Sequence, residues 1–198
     1  MVRTIAKDYD EKRVKILKSA ARVFAQEGMA RASMAQLAKE IGISKANIYH
    51  YYDGKDALLF DILDTYLSTL RDRLCSLPLA DLTPQEKLHA VVSDALLAYE
   101  GMDNEHKIQL EGIPLLAEDQ QEVLRSYQRD IVKLLSGILE EVSPATFEGD
   151  PQKLREATMS VFGMINWFYM WNSKADSEAR ERYSGVVSRM ALSGIEGL

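Results

Sequence analysis

Apolar residues recur at helical spacing along almost the whole chain, and no stretch alternates apolar and polar residues for the length of a strand. Ile16, Leu17, Ala20, Ala21 and Phe24 share one face of a helix predicted over about 9–27. Met34, Leu37, Ala38 and Ile41 follow at i, i+3, i+4 and i+7, and Gly42 is placed to stop that short helix. Ser44 opens another short helix, with Ile48 and Tyr52 one turn apart and turned inward, while Ile43 plugs the space between the two. Leu59, Leu63, Tyr66, Leu67, Leu70 and Leu74 stripe a long fourth helix from 55 to about 76, closed by Leu77-Pro78. Thr83 caps a fifth helix with Pro84 in its first position, ending near Gly101. A short helix over 103–112 is broken by Gly112-Ile113-Pro114, and a long one over 118–141 is closed by Ser143-Pro144. Residues 145–150 read as a loop, Asp150-Pro151 opens a helix running to about 173, and a final helix covers 177–195. The fold class is therefore all-α.

Residues 33–56 carry the clearest chemistry. Ser33 with Gln36 fits a capping box, in which the hydroxyl takes an orphan N–H and the amide reaches back. Ser44 can cap the next helix, with Asn47 at its third position. Two helices joined by three or four residues around a glycine form a helix-turn-helix. Lys45, Asn47, Tyr49 and His50 then lie on the outer side of the second helix, as polar groups able to touch DNA.

Charge sharpens this reading. Residues 1–55 hold eleven Lys/Arg against six Asp/Glu, and residues 56–198 hold thirteen against twenty-four, which together give the net −6. A basic head on an acidic body suits a DNA-binding module joined to one that need not touch DNA; chance clustering on solvated faces is the bland alternative. Lys55 sits in the first turn of the fourth helix, where the macrodipole disfavours a cation. A phosphate held there by the ammonium and the helix N-terminus together would account for it, and a solvated lysine is the alternative. Arg3, Lys7, Lys12 and Arg13 add backbone attraction, with an N-terminal arm among the expectations.

These residues resemble the DNA-binding domain of TetR-family transcriptional regulators. The pattern runs from Phe24-Ala-Gln-Glu-Gly28 through Ser44–Tyr51 to the Lys55–Leu58 start of helix four, covering about residues 10–60. Ala46 stands where the family usually has Gly or Pro, and Tyr51 or Tyr52 where it often has Phe. The resemblance implies an N-terminal three-helix helix-turn-helix domain (1–55), joined through helix four to a helical ligand-binding and dimerisation domain (56–198), with no flexible linker. It implies DNA contact by Ser33, Ser44, Lys45, Ala46, Asn47, Tyr49, His50 and Lys55, with Lys45 and Asn47 at base edges and Tyr49 and His50 at phosphates. For Tyr51, packing and contact stay equally open.

In the body, the family encloses a small-molecule pocket, and the resemblance points to Tyr66, Tyr99, His106, Tyr127, Trp167 and Trp171 as its lining; plain core packing is the alternative for each. The run Phe162–Trp171 is similar to the corresponding helix of members that sense acyl-CoA thioesters, although Gly163 would also allow two helices to approach closely. Val161, Met164, Ile165 and Phe168 form one apolar stripe, and Tyr183, Val186, Val187, Met190 and Ala191 another. In the family such helices pair two subunits, which implies a homodimer on a pseudo-palindromic operator of double-stranded DNA. Burial of both stripes against their own domain is the competing reading.

One cysteine, Cys75, excludes an internal disulfide framework, and ordinary packing is expected for it rather than redox sensing. There is no signal-type apolar run and no stretch long enough to span a bilayer, so a cytoplasmic protein without membrane contact is expected. No metal-binding cluster, P-loop or G-x-S-x-G elbow occurs, and His50, His89 and His106 have no evident nucleophile partner or paired ligand spacing. An enzyme and a resident cofactor are thus not expected. The sequence reads as a regulator, expected to be a repressor released from its operator by a small hydrophobic or acyl-CoA-type ligand. The alternative is a DNA-binding regulator governed by a protein partner.

Overall fold

The computed structural model describes residues 2–198, with side chains from residue 9 onward. The expectations resting on Arg3 and Lys7 therefore lie outside the described residues. The described chain is helical: α1 (Val2–Glu27), α2 (Met34–Ile41), α3 (Lys45–Tyr51), α4 (Lys55–Cys75), α5 (Pro84–Ala98), α6 (Asp103–Gly112), a 3₁₀ turn (Ile113–Leu115), α7 (Glu118–Val142), α8 (Pro144–Phe147), α9 (Pro151–Asn166), α10 (Phe168–Trp171) and α11 (Ser177–Ile195). No strand occurs among the described residues.

Two compact units divide the chain. The first joins Met1–Leu67 with Asn104–Leu124, and the second joins Ser68–Asp103 with Arg125–Leu198. Helix α4 runs unbroken from one into the other.

In the first unit, Ile16, Leu17, Ala20, Ala21 and Phe24 of α1 are buried with Met34, Leu37, Ala38 and Ile41 of α2, and Ile48 of α3 is fully enclosed. Ile43, expected as an interior plug, is half-buried. Leu58, Leu59, Ile62 and Leu63 of α4 complete this core with Ile108, Ile113 and Leu116. Removing a leucine side chain from water is worth about 2 kcal/mol, so these positions dominate the unit's stability. Helix α6 comes close to α4 at Gly112, where a Cβ would lie 3.2 Å from a Leu59 methyl and 3.5 Å from one of Leu63.

In the second unit, α11 lies along α5 and also packs on α9. Leu88, Val92 and Leu96 of α5 are enclosed with Val161 and Ile165 of α9 and Val187 of α11. Thr83 caps α5 in a complete capping box: its hydroxyl accepts from Glu86 N–H, and the Glu86 carboxylate accepts from Thr83 N–H at 2.8 Å. Those bonds hold the Glu86 carboxyl below the usual carboxylate range.

Two expected elements differ. The predicted helix from Pro151 to about 173 ends at Asn166, and a separate turn of helix follows over Phe168–Trp171. Five of the six residues in Trp167–Asn172 are bulky and apolar or aromatic, and one helix face cannot bury them all. The break places Phe168 in the core and leaves Trp167, Met170 and Trp171 exposed. Residues 145–150, expected as loop, begin with the single turn Pro144–Phe147, which buries Phe147.

Candidate nucleic-acid interface

The turn between α2 and α3 follows from local chemistry. Gly42 adopts φ 78°, a left-handed conformation that favours a residue without Cβ. Its geometry lets Ile43 N–H donate back to the Ala38 carbonyl at 2.9 Å, satisfying an orphan carbonyl at the end of α2. Ser33 Oγ accepts from Gln36 N–H at 3.2 Å, and Ser44 Oγ accepts from Asn47 N–H at 3.1 Å, so both serines cap as expected. The reciprocal half of the expected box at α2 is absent. The Gln36 amide turns instead to Glu27, donating to Oε1 at 2.6 Å, because the end of α1 lies within its reach.

Helix α3 buries Ile48 and exposes Lys45, Ala46, Asn47, Tyr49 and His50. The Lys45 ammonium stands 5.9 Å from the Tyr49 ring centroid, one helical turn on, so cation and aromatic share one face. Tyr51 stacks on Tyr9 of α1 at 4.9 Å, a packing contact, while remaining half-buried. Lys55 is neither a bare solvated lysine nor wholly free for a ligand: its ammonium donates to the Met29 carbonyl at 2.7 Å and ties the α1–α2 connection to the start of α4. A lysine carries three N–H donors, so two remain after this bond.

The remaining sequence-derived positions divide between the units. In the first, Tyr66 and His106 meet: the Tyr66 hydroxyl lies 2.8 Å from His106 Nδ1, both side chains are buried, and the Gln109 amide approaches the same nitrogen at 3.3 Å. The next residue, Lys107, donates to the Ala25 carbonyl in the last turn of α1 at 2.7 Å, where the helix dipole favours a cation. In the second unit, Tyr99 is buried and its hydroxyl donates to Asn166 Oδ1 at 2.9 Å. The Arg71 guanidinium lies 5.0 Å over the Tyr127 ring. Trp167 and Trp171, expected in an interior pocket, stand at the surface of this unit, each 58% exposed.

The two apolar stripes of α9 and α11 are also split. Val161, Ile165, Phe168 and Val187 are buried within the chain itself and need no second copy to cover them. Val186 and Met190 are exposed, Met164 and Tyr183 half-buried, and Met164 and Met190 flank a surface groove with Ala191 and Leu198. Cys75, expected to pack, is exposed; its thiol is nevertheless pushed up, first by partial desolvation and then by Asp130, the opposite of a poised redox sensor.

Two features escaped sequence reasoning. Arg13 of α1, Tyr52 at the end of α3 and Asp61 of α4 form one hydrogen-bonded cluster. A polar Asp61 within the Leu58–Leu63 apolar run was its only signal. Arg180 is 2% exposed; its signal was position, at the head of the buried stripe Arg180, Ser184, Val187, Ala191 and Ile195.

Among the described residues, no helix is long and apolar enough to cross a membrane, and no group of three or more His, Cys, Asp or Glu is arranged to hold a metal ion. The profile for bacterial regulatory proteins of the tetR family matches residues 16–62, and that for the tetracyclin repressor-like C-terminal domain matches residues 81–195. The HTH-type transcriptional repressor KstR2 of Rhodococcus jostii (strain RHA1) is 26% identical over 184 residues, 89% of each chain. A TetR-family transcriptional regulator from Bordetella parapertussis 12822 superposes with TM-score 0.85 at 28% identity, over 94% of this chain and 96% of its own. AibR, solved in complex with isovaleryl coenzyme A and operator DNA, superposes with TM-score 0.72 at 23% identity, over 90% and 97% of the two chains; at that identity the likeness is one of fold. The second profile alone spans more than half of the 198 residues and follows the helix-turn-helix in the order the family requires, so the chain belongs to the TetR family of bacterial DNA-binding transcriptional regulators.

Proposed function

We propose that this regulator is a homodimeric repressor that reads a pseudo-palindromic operator through α3 and is released from it by an acyl-CoA or a related small hydrophobic ligand. The observation that carries the reading is the outer face of α3, where Lys45, Ala46, Asn47, Tyr49 and His50 are all exposed around a single buried anchor, Ile48. A helix of this kind enters the major groove and presents the side chains near its start to base edges. Lys45 and Asn47 read bases in this proposal, Tyr49 and His50 take phosphates, and Lys55 adds a phosphate contact with its two uncommitted N–H groups. Residues 1–55 then serve DNA and 56–198 serve ligand and partner. The dimer face centres on Met164, Val186 and Met190, the members of the two stripes that their own chain leaves uncovered or half-covered.

Helix α6 supports control by a ligand. It carries His106, which meets Tyr66, and immediately beside it Lys107, which holds the end of α1. A ligand that displaces α6 would disturb the helix just before the helix-turn-helix. Release requires only that the ligand bind the DNA-incompetent form more tightly. The effector class is supported by the coenzyme A thioester and operator DNA in the AibR structure, and the repressor role by the name of KstR2.

Selection of bound fragments from genomic DNA supplies the operator, and calorimetry against an acyl-CoA series supplies the effector. Lys45→Ala is expected to weaken operator binding by about 1–3 kcal/mol and to relax preference at one base position. A folded sample that retains no genomic fragment at low ionic strength refutes the regulator reading. Operator binding untouched by every acyl-CoA refutes the effector and turns attention to a protein partner.

A further inference from the structure

We infer that Tyr52 and Asp61, which lie off the exposed face of α3, set operator discrimination by fixing the angle of that helix; this rests on the reading of α3 as the base-reading element. Helix α3 has seven residues, far short of the length at which a helix holds itself in water, so its orientation comes from what grips it. One grip is Ile48. The other is at its C-terminal end, where the buried Tyr52 hydroxyl donates to Asp61 Oδ2 at 2.5 Å. Asp61 is itself clamped from α1: Arg13 Nε donates to Oδ2 at 2.9 Å, Arg13 Nη2 donates to Oδ1, and the same Nη2 reaches Thr65 Oγ1 at 3.1 Å. One carboxylate thus joins α1, the end of α3 and α4. One turn before Arg13, Tyr9 stacks on Tyr51, so the two adjacent tyrosines that end α3 are both tied to the same face of α1, one directly and one through Asp61.

The chemistry keeps this clamp closed at ordinary pH. Burial first, and then Asp61, push the Tyr52 hydroxyl upward, so it remains a donor. The hydrogen bond that Arg13 donates to Asp61 pushes the guanidinium upward as well. Reading base edges tolerates errors of only about 0.5 Å in side-chain placement. Attraction to phosphates is far more forgiving, because it depends on charge rather than on register. Loosening the clamp should therefore cost cognate affinity and spare non-cognate affinity.

Tyr52→Phe removes one oxygen and leaves the ring in place. The experiment measures full-length wild type, Tyr52→Phe, Asp61→Asn and the Tyr52→Phe/Asp61→Asn double variant on the selected operator and on a scrambled duplex, at several salt concentrations. The expected result is an operator affinity lower by about five- to tenfold in Tyr52→Phe, the scale of one lost hydrogen bond, with scrambled-duplex affinity and salt slope unchanged. The double variant should be no worse than Asp61→Asn alone, because both changes open the same clamp. A ratio of operator to scrambled affinity equal to wild type in Tyr52→Phe overturns the inference, whatever Asp61→Asn does. Equal losses on both duplexes also overturn it, since they mark a general loss of structure. A wild-type ratio of one would instead sink the regulator reading itself, so the two failures are told apart.

Discussion

Arg180→Met tests the energetics of the second unit. The wild-type guanidinium, 2% exposed, donates through Nη1 to the Leu96 carbonyl at 3.1 Å and through Nε to the Ala175 carbonyl at 3.2 Å. Its Nη2 stands 3.7 Å from Asp103 Oδ1, an ion pair too long for a hydrogen bond, and the group lies 5.6 Å over the Phe168 ring. Methionine keeps much of the volume and contacts, so the change is chiefly one of charge and hydrogen bonding. It strands two buried carbonyls, each costing about 1–3 kcal/mol, and leaves Asp103 without its counter-charge. Part of that loss is returned because the desolvation of the buried cation disappears as well. The expected net is a destabilisation of about 3–5 kcal/mol, the range for breaking one side of a buried pair. Burial already raises the Asp103 carboxyl against the opposing pull of Arg180, and without Arg180 it should rise further. A carboxyl raised in the folded state contributes stability below its unfolded-state value and loses it as pH climbs through the folded value. The variant should therefore recover stability on acidification towards about pH 4–5, and Arg180→Met/Asp103→Asn should be more stable than Arg180→Met alone at pH 7. Urea unfolding followed by circular dichroism reads both effects. An Arg180→Met stability within about 1 kcal/mol of wild type, with no dependence on residue 103, would refute the assignment of these bonds as structural.

Two further changes probe other parts of the chain. Gly42→Ala places a β-carbon on a left-handed backbone with nothing within 4 Å of it, so the whole cost is conformational. About 1–2 kcal/mol of strain, offset by the stiffer unfolded chain, leaves roughly 1 kcal/mol of destabilisation, and an unchanged denaturation midpoint would contradict it. Glu86 has its carboxyl lowered by the capping box, so its contribution is complete above the unfolded-state value and disappears as pH falls through the lower folded value. Glu86→Gln should therefore lose stability relative to wild type near neutrality, with the difference shrinking below about pH 4 in paired thermal melts; a constant difference across that range would count against the box.

What could be read in advance follows from range along the chain. The caps at Ser33, Ser44 and Thr83 and the turn at Gly42 depend on residues within four positions, and each stands where the spacing put it. The Gln36 amide failed that test because a competing acceptor, Glu27, arrives from another helix. Lys55 and Arg13 find partners 26 and 48 positions away, which periodicity does not encode. The break after Asn166 contains neither Gly nor Pro, so no local breaker announced it. Periodicity marked the apolar stripes of α9 and α11, but it says which face is apolar and not whether that face meets its own chain or another. Burial of Arg180 ran against the general exposure of arginine, and only its place in the stripe of α11 hinted at it.

The discontinuity of the first unit bears on how such regulators can be recombined. Its interior closes only when residues 104–124 return to it: Ile108, Ile113 and Leu116 are buried there, and Gly112 admits the methyls of Leu59 and Leu63. A gene fragment cut at codon 55 would therefore carry the helix-turn-helix without its keel. Grafting that motif onto a foreign effector module calls for two exchanged segments, stitched at both crossings, and not one.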